Sequence, residues 1–133
     1  MNIRSSKFCK AINSGNKKRI VNMLKKGQDA NAKNVEGIPA IQLAIFRNDL
    51  SLVKLLVKYG ADINMLSEDN DAYTPLETAC YYGKIDIVNY LLSIKCSLDD
   101  DSLRIAALMG YSTIVKILIA NGADVNRLDA WLS

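Results

Sequence analysis

Three cysteines, a run of three aspartates and a cluster of lysines are the groups through which this chain of 133 residues could do chemistry. A nucleophilic thiol or hydroxyl needs a nearby base, and the usual one is missing, because the sequence contains no histidine. That excludes Ser/His and Cys/His pairs and removes the commonest metal ligand. Cys9, Cys80 and Cys96 are odd in number, widely spaced and form no CxxC pair, so they read as buried free thiols of a reducing compartment rather than zinc ligands. The run Asp99-Asp100-Asp101 matches no calcium loop, and Asp101 is expected to cap a helix start. Glycines are scattered, so no loop cradles a phosphate, and no carboxylates are spaced as an acid–base pair. The expectation is a non-enzyme with no catalytic residue, no metal and no cofactor.

Charge is the stronger asymmetry. The net charge is only +3, but residues 1–36 hold nine Lys and Arg against Asp29 and Glu36, a net of +7, while residues 37–133 hold eight against twelve, a net of −4. Lys7, Lys10, Lys17, Lys18 and Arg19 are the candidate electrostatic contacts. They read either as a polar cap or as a surface that steers an acidic partner or touches a phosphate backbone. No aromatic residue interleaves with them except Phe8, at a core-type position, so base stacking is unsupported and nucleic acid is the lesser reading. Half of the chain is hydrophobic and 23% is charged, enough to bury a core. No apolar run approaches 18 residues and no signal-type segment opens the chain, so a soluble cytoplasmic protein away from membranes is expected.

What positions these residues is an internal repeat. Gly27-Gln28-Asp29-Ala30-Asn31, Gly60-Ala61-Asp62-Ile63-Asn64 and Gly122-Ala123-Asp124-Val125-Asn126 are copies of one segment, the first two 33 residues apart. Lys95-Cys96-Ser97-Leu98-Asp99 is a worn fourth copy. Twelve residues before each stand Gly15, Asn48, Gly83 and Gly110, and between lie apolar sets such as Leu52, Val53, Leu56, Val57 and Ile87, Val88, Leu91, Leu92. Spacings of one, three and four are the buried stripe of an amphipathic helix, and the glycine that follows fits its C-terminal cap. A shorter helix precedes each, opened by Ser6, Pro39, Thr74-Pro75 and Asp101-Ser102. Each helix–turn–helix unit leaves an apolar stripe that only stacking on a neighbour can bury.

Thr74-Pro75-Leu76-Glu77-Thr78-Ala79-Cys80 resembles the ankyrin Thr-Pro-Leu-His-x-Ala signature, and Lys54 to Asn64 resembles that family's second helix and outgoing loop. The resemblance covers about residues 4–126. It implies an all-α ankyrin-repeat solenoid of helix–turn–helix units with short β-hairpin fingers, and binding of other macromolecules through the concave face of fingers and inner helices. As one domain of 1–133, its repeats fall at about 4–33, 34–66, 67–99 and 100–126, with a tail at 127–133. The family's histidine is replaced by Cys9, Gln42, Glu77 and Arg104, so its hydrogen bonds must be replaced or lost. The finger holding Met65 to Asp71 is two residues longer than its predecessor, and the one between Asp99 and Asp101 is essentially absent.

The resemblance places the residues just before the inter-helix turn in solvent, where polar types are common. Here they are Phe46-Arg47, Tyr81-Tyr82 and Leu108-Met109, and Ile38 and Tyr73 fall on the inward side of the fingers. Together with Met65 and Leu66 on the long finger, they form the candidate partner-binding strip, rich in the residue types of interface cores. Trp131 and Leu132 could fold back on the last repeat or enter a homodimer contact, which leaves monomer and homodimer both open. Such an array would act by occupancy, as an adaptor, inhibitor or effector of a larger protein. Its brevity and composition suggest a viral or microbial source.

Overall fold

The computed structural model describes residues 3–69 and 72–126. Among them the chain forms eight helices: α1 (Ile3–Ser14), α2 (Lys17–Lys25), α3 (Ala40–Phe46), α4 (Leu50–Lys58), α5 (Pro75–Tyr81), α6 (Ile85–Ser93), α7 (Asp100–Leu108) and α8 (Ser112–Ala120). They group into two compact units that divide between Pro75 and Leu76.

In the first unit α1 packs on α2 and on α3, and α3 packs on α4. Phe8, Ile12, Ile20, Ile41, Ile45, Leu52 and Leu56 are fully buried there. Each contributes about 1.5–3 kcal/mol of burial, so the apolar stripes carry the fold rather than helix propensity in seven- to twelve-residue segments. In the second unit α8 packs on α6 and α7, around Leu76, Ile87, Leu91, Leu103 and Ile114.

The recurring loop sequence has a local cause. Asp29, Asp62 and Asp124 each accept the backbone N–H two residues on, from Asn31, Asn64 and Asn126, all at 2.9 Å. This Asx turn closes the loop. Asn31 then reaches the next copy, accepting from Asp62 N–H at 2.7 Å and donating to Gly60 O at 3.3 Å. The finger after α2 is a short hairpin, with a lone antiparallel bridge between Lys33 and Pro39 and an Ala40 N–H to Ala32 O bond of 2.9 Å. The longer finger closes through Ser67 N–H to Tyr73 O at 3.0 Å and adds edge-on to the first through Glu68 N–H to Gly37 O at 2.8 Å.

Two helix starts differ from the sequence expectation. The first helix opens at Ile3, placing Ser6 inside it. The cap of α7 is Asp99, whose Oδ1 accepts from Ser102 N–H and Oγ at 3.0 and 3.1 Å. Asp101 lies in the first turn and pairs with Arg104 at 3.1 Å. With almost no finger between Cys96 and the helix, the first aspartate of the run already stands at the chain's turn, and the other two meet the helix dipole.

Candidate partner-binding surface

The surface begins at the tight turn that joins the helices of each pair. There the backbone crosses to positive φ at Gly15, Asn48, Gly83 and Gly110. Asn48 holds φ 54° without a glycine, as the side chain best tolerated in that region after glycine. The residues just before this crossing end the first helix of the pair and point away from its buried face.

In the second unit this position carries a cluster. Tyr81 and Tyr82 are 39% and 48% exposed, their rings edge to face with centroids 5.0 Å apart. Leu108 is 63% exposed and Met109 41%. The turn at Gly83 meets the next one closely, since a Cβ on Gly83 would stand 3.0 Å from the Tyr111 ring. Tyr82 and Met109 are one and two residues from that contact, so the two apolar pairs lie on adjoining turns. Ile85, at the start of α6, is equally exposed and was not among the sequence candidates.

In the first unit Phe46 and Leu66 are exposed, and Met65 and Tyr73 are half-buried. Ile38 is buried, so it supports the finger rather than offering contact area. The Arg47 guanidinium is engaged: it donates to Asn13 O and lies against Gly15. Val35, at the tip of the shorter finger, is the most exposed large apolar side chain described, yet no repeat pattern marks it. Lys7, Lys10, Lys17, Lys18 and Arg19 are all exposed, and Lys17 pairs with Asp49 at 3.2 Å. Trp131 and Leu132 lie outside the described residues.

Where the family histidine would stand, Gln42 is buried and donates from Nε2 to Tyr73 O at 2.6 Å and to Met65 O at 3.3 Å. The hydrogen bonds are replaced at this position, and they fix the long finger to α3.

The thiols are not poised for chemistry. Burial pushes the Cys80 thiol up to about 12, aided by Asp99, Cys96 and Glu77, and burial with Asp99 pushes Cys96 up to about 11. Burial also raises Cys9. All three therefore stay protonated at neutral pH, the opposite of an activated nucleophile. Among the described residues no three His, Cys, Asp or Glu side chains are grouped to hold a metal, and no helix is long and apolar enough to cross a membrane.

Known families and proteins agree with this architecture. A family model described as ankyrin repeats (three copies) matches residues 8–102, and a single ankyrin repeat matches 100–130. An ankyrin repeat protein of Acanthamoeba polyphaga mimivirus is 29% identical over 126 residues, covering 90% of this chain and 16% of its own length. Protein phosphatase 1 regulatory subunit 27 of Mus musculus is 44% identical over 63 residues, 47% of this chain and 40% of its own. The Notch-regulated ankyrin repeat-containing protein of Xenopus tropicalis is 36% identical over 90 residues, 65% and 77% of the two chains. The chain thus spans well under half the length of the first two relatives. With helix pairs, Asx-closed loops and a family match over most of its length, this all-α chain belongs to the ankyrin-repeat family.

Proposed function

We propose that this chain is a non-enzymatic protein-binding module that acts by occupancy, masking or bridging the protein it holds. The observation that carries the reading is the cluster of Tyr81, Tyr82, Leu108 and Met109. These are large apolar side chains at turn ends whose neighbours in the same helices are buried. Exposing them costs solubility, and the cost is recovered when a partner covers them. Tyrosine and methionine are also the types that dominate interface cores. The family supports a protein partner, and one relative is by name a regulatory subunit of a phosphatase. Phe46 and Leu66 of the first unit are further contact residues on this reading.

The test is a double variant, Tyr81→Ala with Tyr82→Ala, against the partner recovered from the native host. The variant should keep the wild-type helical spectrum and urea midpoint while binding at least about tenfold more weakly, roughly 1.4 kcal/mol. Undiminished affinity in the folded variant removes this cluster from the interface.

A further inference from the structure

From Ile3 to Gln28 the described chain contains no carboxylate, and the cations that fill it are exposed. On α1, Lys7 and Lys10 are exposed beside the buried set Phe8, Cys9, Ala11 and Ile12, and Arg4, one turn ahead of Phe8, is exposed at the helix start. On α2, Lys18 and Lys25 stand two turns apart on one side, and Arg19 and the cap residue Lys26 stand beside them, opposite buried Ile20 and Leu24. Among the described residues none of these seven side chains forms an ion pair. Asp29, the first acid in the sequence, already has its carboxylate committed to Asn31 N–H.

A polar cap made only for solubility does not require this pattern. Lys17, Lys18 and Arg19 occupy the first turn of α2, where unpaired N–H groups make the helix end positive and acids would be stabilising. Of the corresponding second helices, α6 carries Asp86 in its first turn, and α4 and α8 carry no acid there but no run of cations either. Cations at the wrong end of the dipole reduce stability in the free protein, and an anion laid across them reverses that penalty. We infer that the outer face of α1 and α2 is a docking surface for an acidic protein segment. Charge complementarity sets the class of partner. The face has no exposed aromatic side chain to stack on bases, Phe8 being buried. The exposed neutral polar residues nearby, Asn13, Ser14, Asn16 and Asn22, are short amides and a hydroxyl suited to a peptide's backbone and carboxylates.

The experiment uses the full chain and a fluorescein-labelled 15-residue polyglutamate peptide, read by anisotropy at 50 and 200 mM salt. Wild type should bind at 50 mM and lose about tenfold or more by 200 mM. Lys18→Gln, Arg19→Gln, Lys25→Gln and Lys26→Gln combined should bind at least tenfold more weakly at 50 mM with an unchanged helical spectrum, and Lys7→Gln with Lys10→Gln provides a second, milder variant. A control removing four charges elsewhere, at Lys58, Lys84, Lys95 and Lys116, should bind within about twofold of wild type. Absence of peptide binding at 50 mM overturns the inference. So does equal weakening by the control, which would assign the effect to net charge. Tighter binding of a 15-base-pair random duplex than of the peptide overturns it in favour of nucleic acid. Salt-sensitive dimerisation that the basic-face variant abolishes, without peptide binding, overturns it in favour of a second copy of this chain.

Discussion

Gln42 Nε2 donates to Tyr73 O at 2.6 Å across 31 residues of sequence, from the middle of α3 to the returning leg of the long finger. The same amide reaches Met65 O, so one buried side chain clamps both legs of that finger.

Replacing it with Gln42→Leu keeps the volume and deletes the donor. The variant should lose about 1–3 kcal/mol of stability, the usual consequence of withdrawing a partner from buried carbonyls. Urea unfolding at neutral pH measures it. A loss below about 0.5 kcal/mol would mean that the finger is held by its other bonds alone.

Gly83 and Gly110 occupy the same place in their helix pairs and nearly the same conformation, φ 69° and 78°. They differ in surroundings: a Cβ on Gly83 meets the Tyr111 ring at 3.0 Å, whereas one on Gly110 meets nothing within 4 Å. Gly110→Ala should cost about 1–2 kcal/mol, the left-handed penalty alone. Gly83→Ala should cost more, and Tyr111→Ala introduced beside it should recover the excess. Equal costs at the two sites would remove the packing of Tyr111 on this turn as a constraint.

Asp49 caps α4 through Leu52 N–H at 3.1 Å and holds Lys17, joining the two helix pairs of the first unit. Partial burial raises its pKa, but the Ser51 hydroxyl, the Leu52 N–H and the Lys17 ammonium outweigh that and hold the carboxyl below its ordinary value. A depressed folded pKa contributes stability that is complete above the unfolded value and is lost as pH falls through the folded one. Asp49→Asn retains an acceptor for the cap and removes the charge. At pH 7 it should cost a few tenths to about 1 kcal/mol, given how exposed Lys17 is. The difference from wild type should fade below about pH 4. A difference that persists undiminished at pH 2 would place the effect in the cap rather than the charge.

The parts legible in the sequence are those whose cause is local. Asp29, Asp62 and Asp124 each close a turn on a residue two places along, so the segment recurs visibly. The stripe of α6 was equally plain, because Ile87, Val88, Leu91 and Leu92 are all buried. Three adjacent aspartates before α7 offered three capping candidates, and only the chain's path selects Asp99. Arg47 read as a contact residue because its engagement is with Asn13, 34 residues earlier. Ile38 was expected on a binding face but is buried, and Val35 at the finger tip is exposed. Which finger residue turns inward is set by the Asn34–Gly37 turn, not by apolar spacing.

The thiols give a last prediction with two signs to check. Cys80 and Cys96, pushed up to about 12 and about 11, are almost wholly protonated at pH 8, and Cys9 is buried as well. A disulfide reagent at pH 8 should therefore modify the native protein only as fast as it opens, and should titrate all three cysteines at once in denaturing urea. Gly83→Ala, by lowering stability, should speed the native reaction in proportion. At alkaline pH the raised folded values mean that the unfolded chain releases its thiol protons first. The contribution is then complete below the unfolded value near 8.5 and is lost as pH rises toward the folded ones. The urea midpoint should fall above about pH 9, and Cys80→Ala should make that fall shallower. A thiol that reacts within seconds in the native wild type would contradict the burial of that cysteine and return it to consideration as a reactive group.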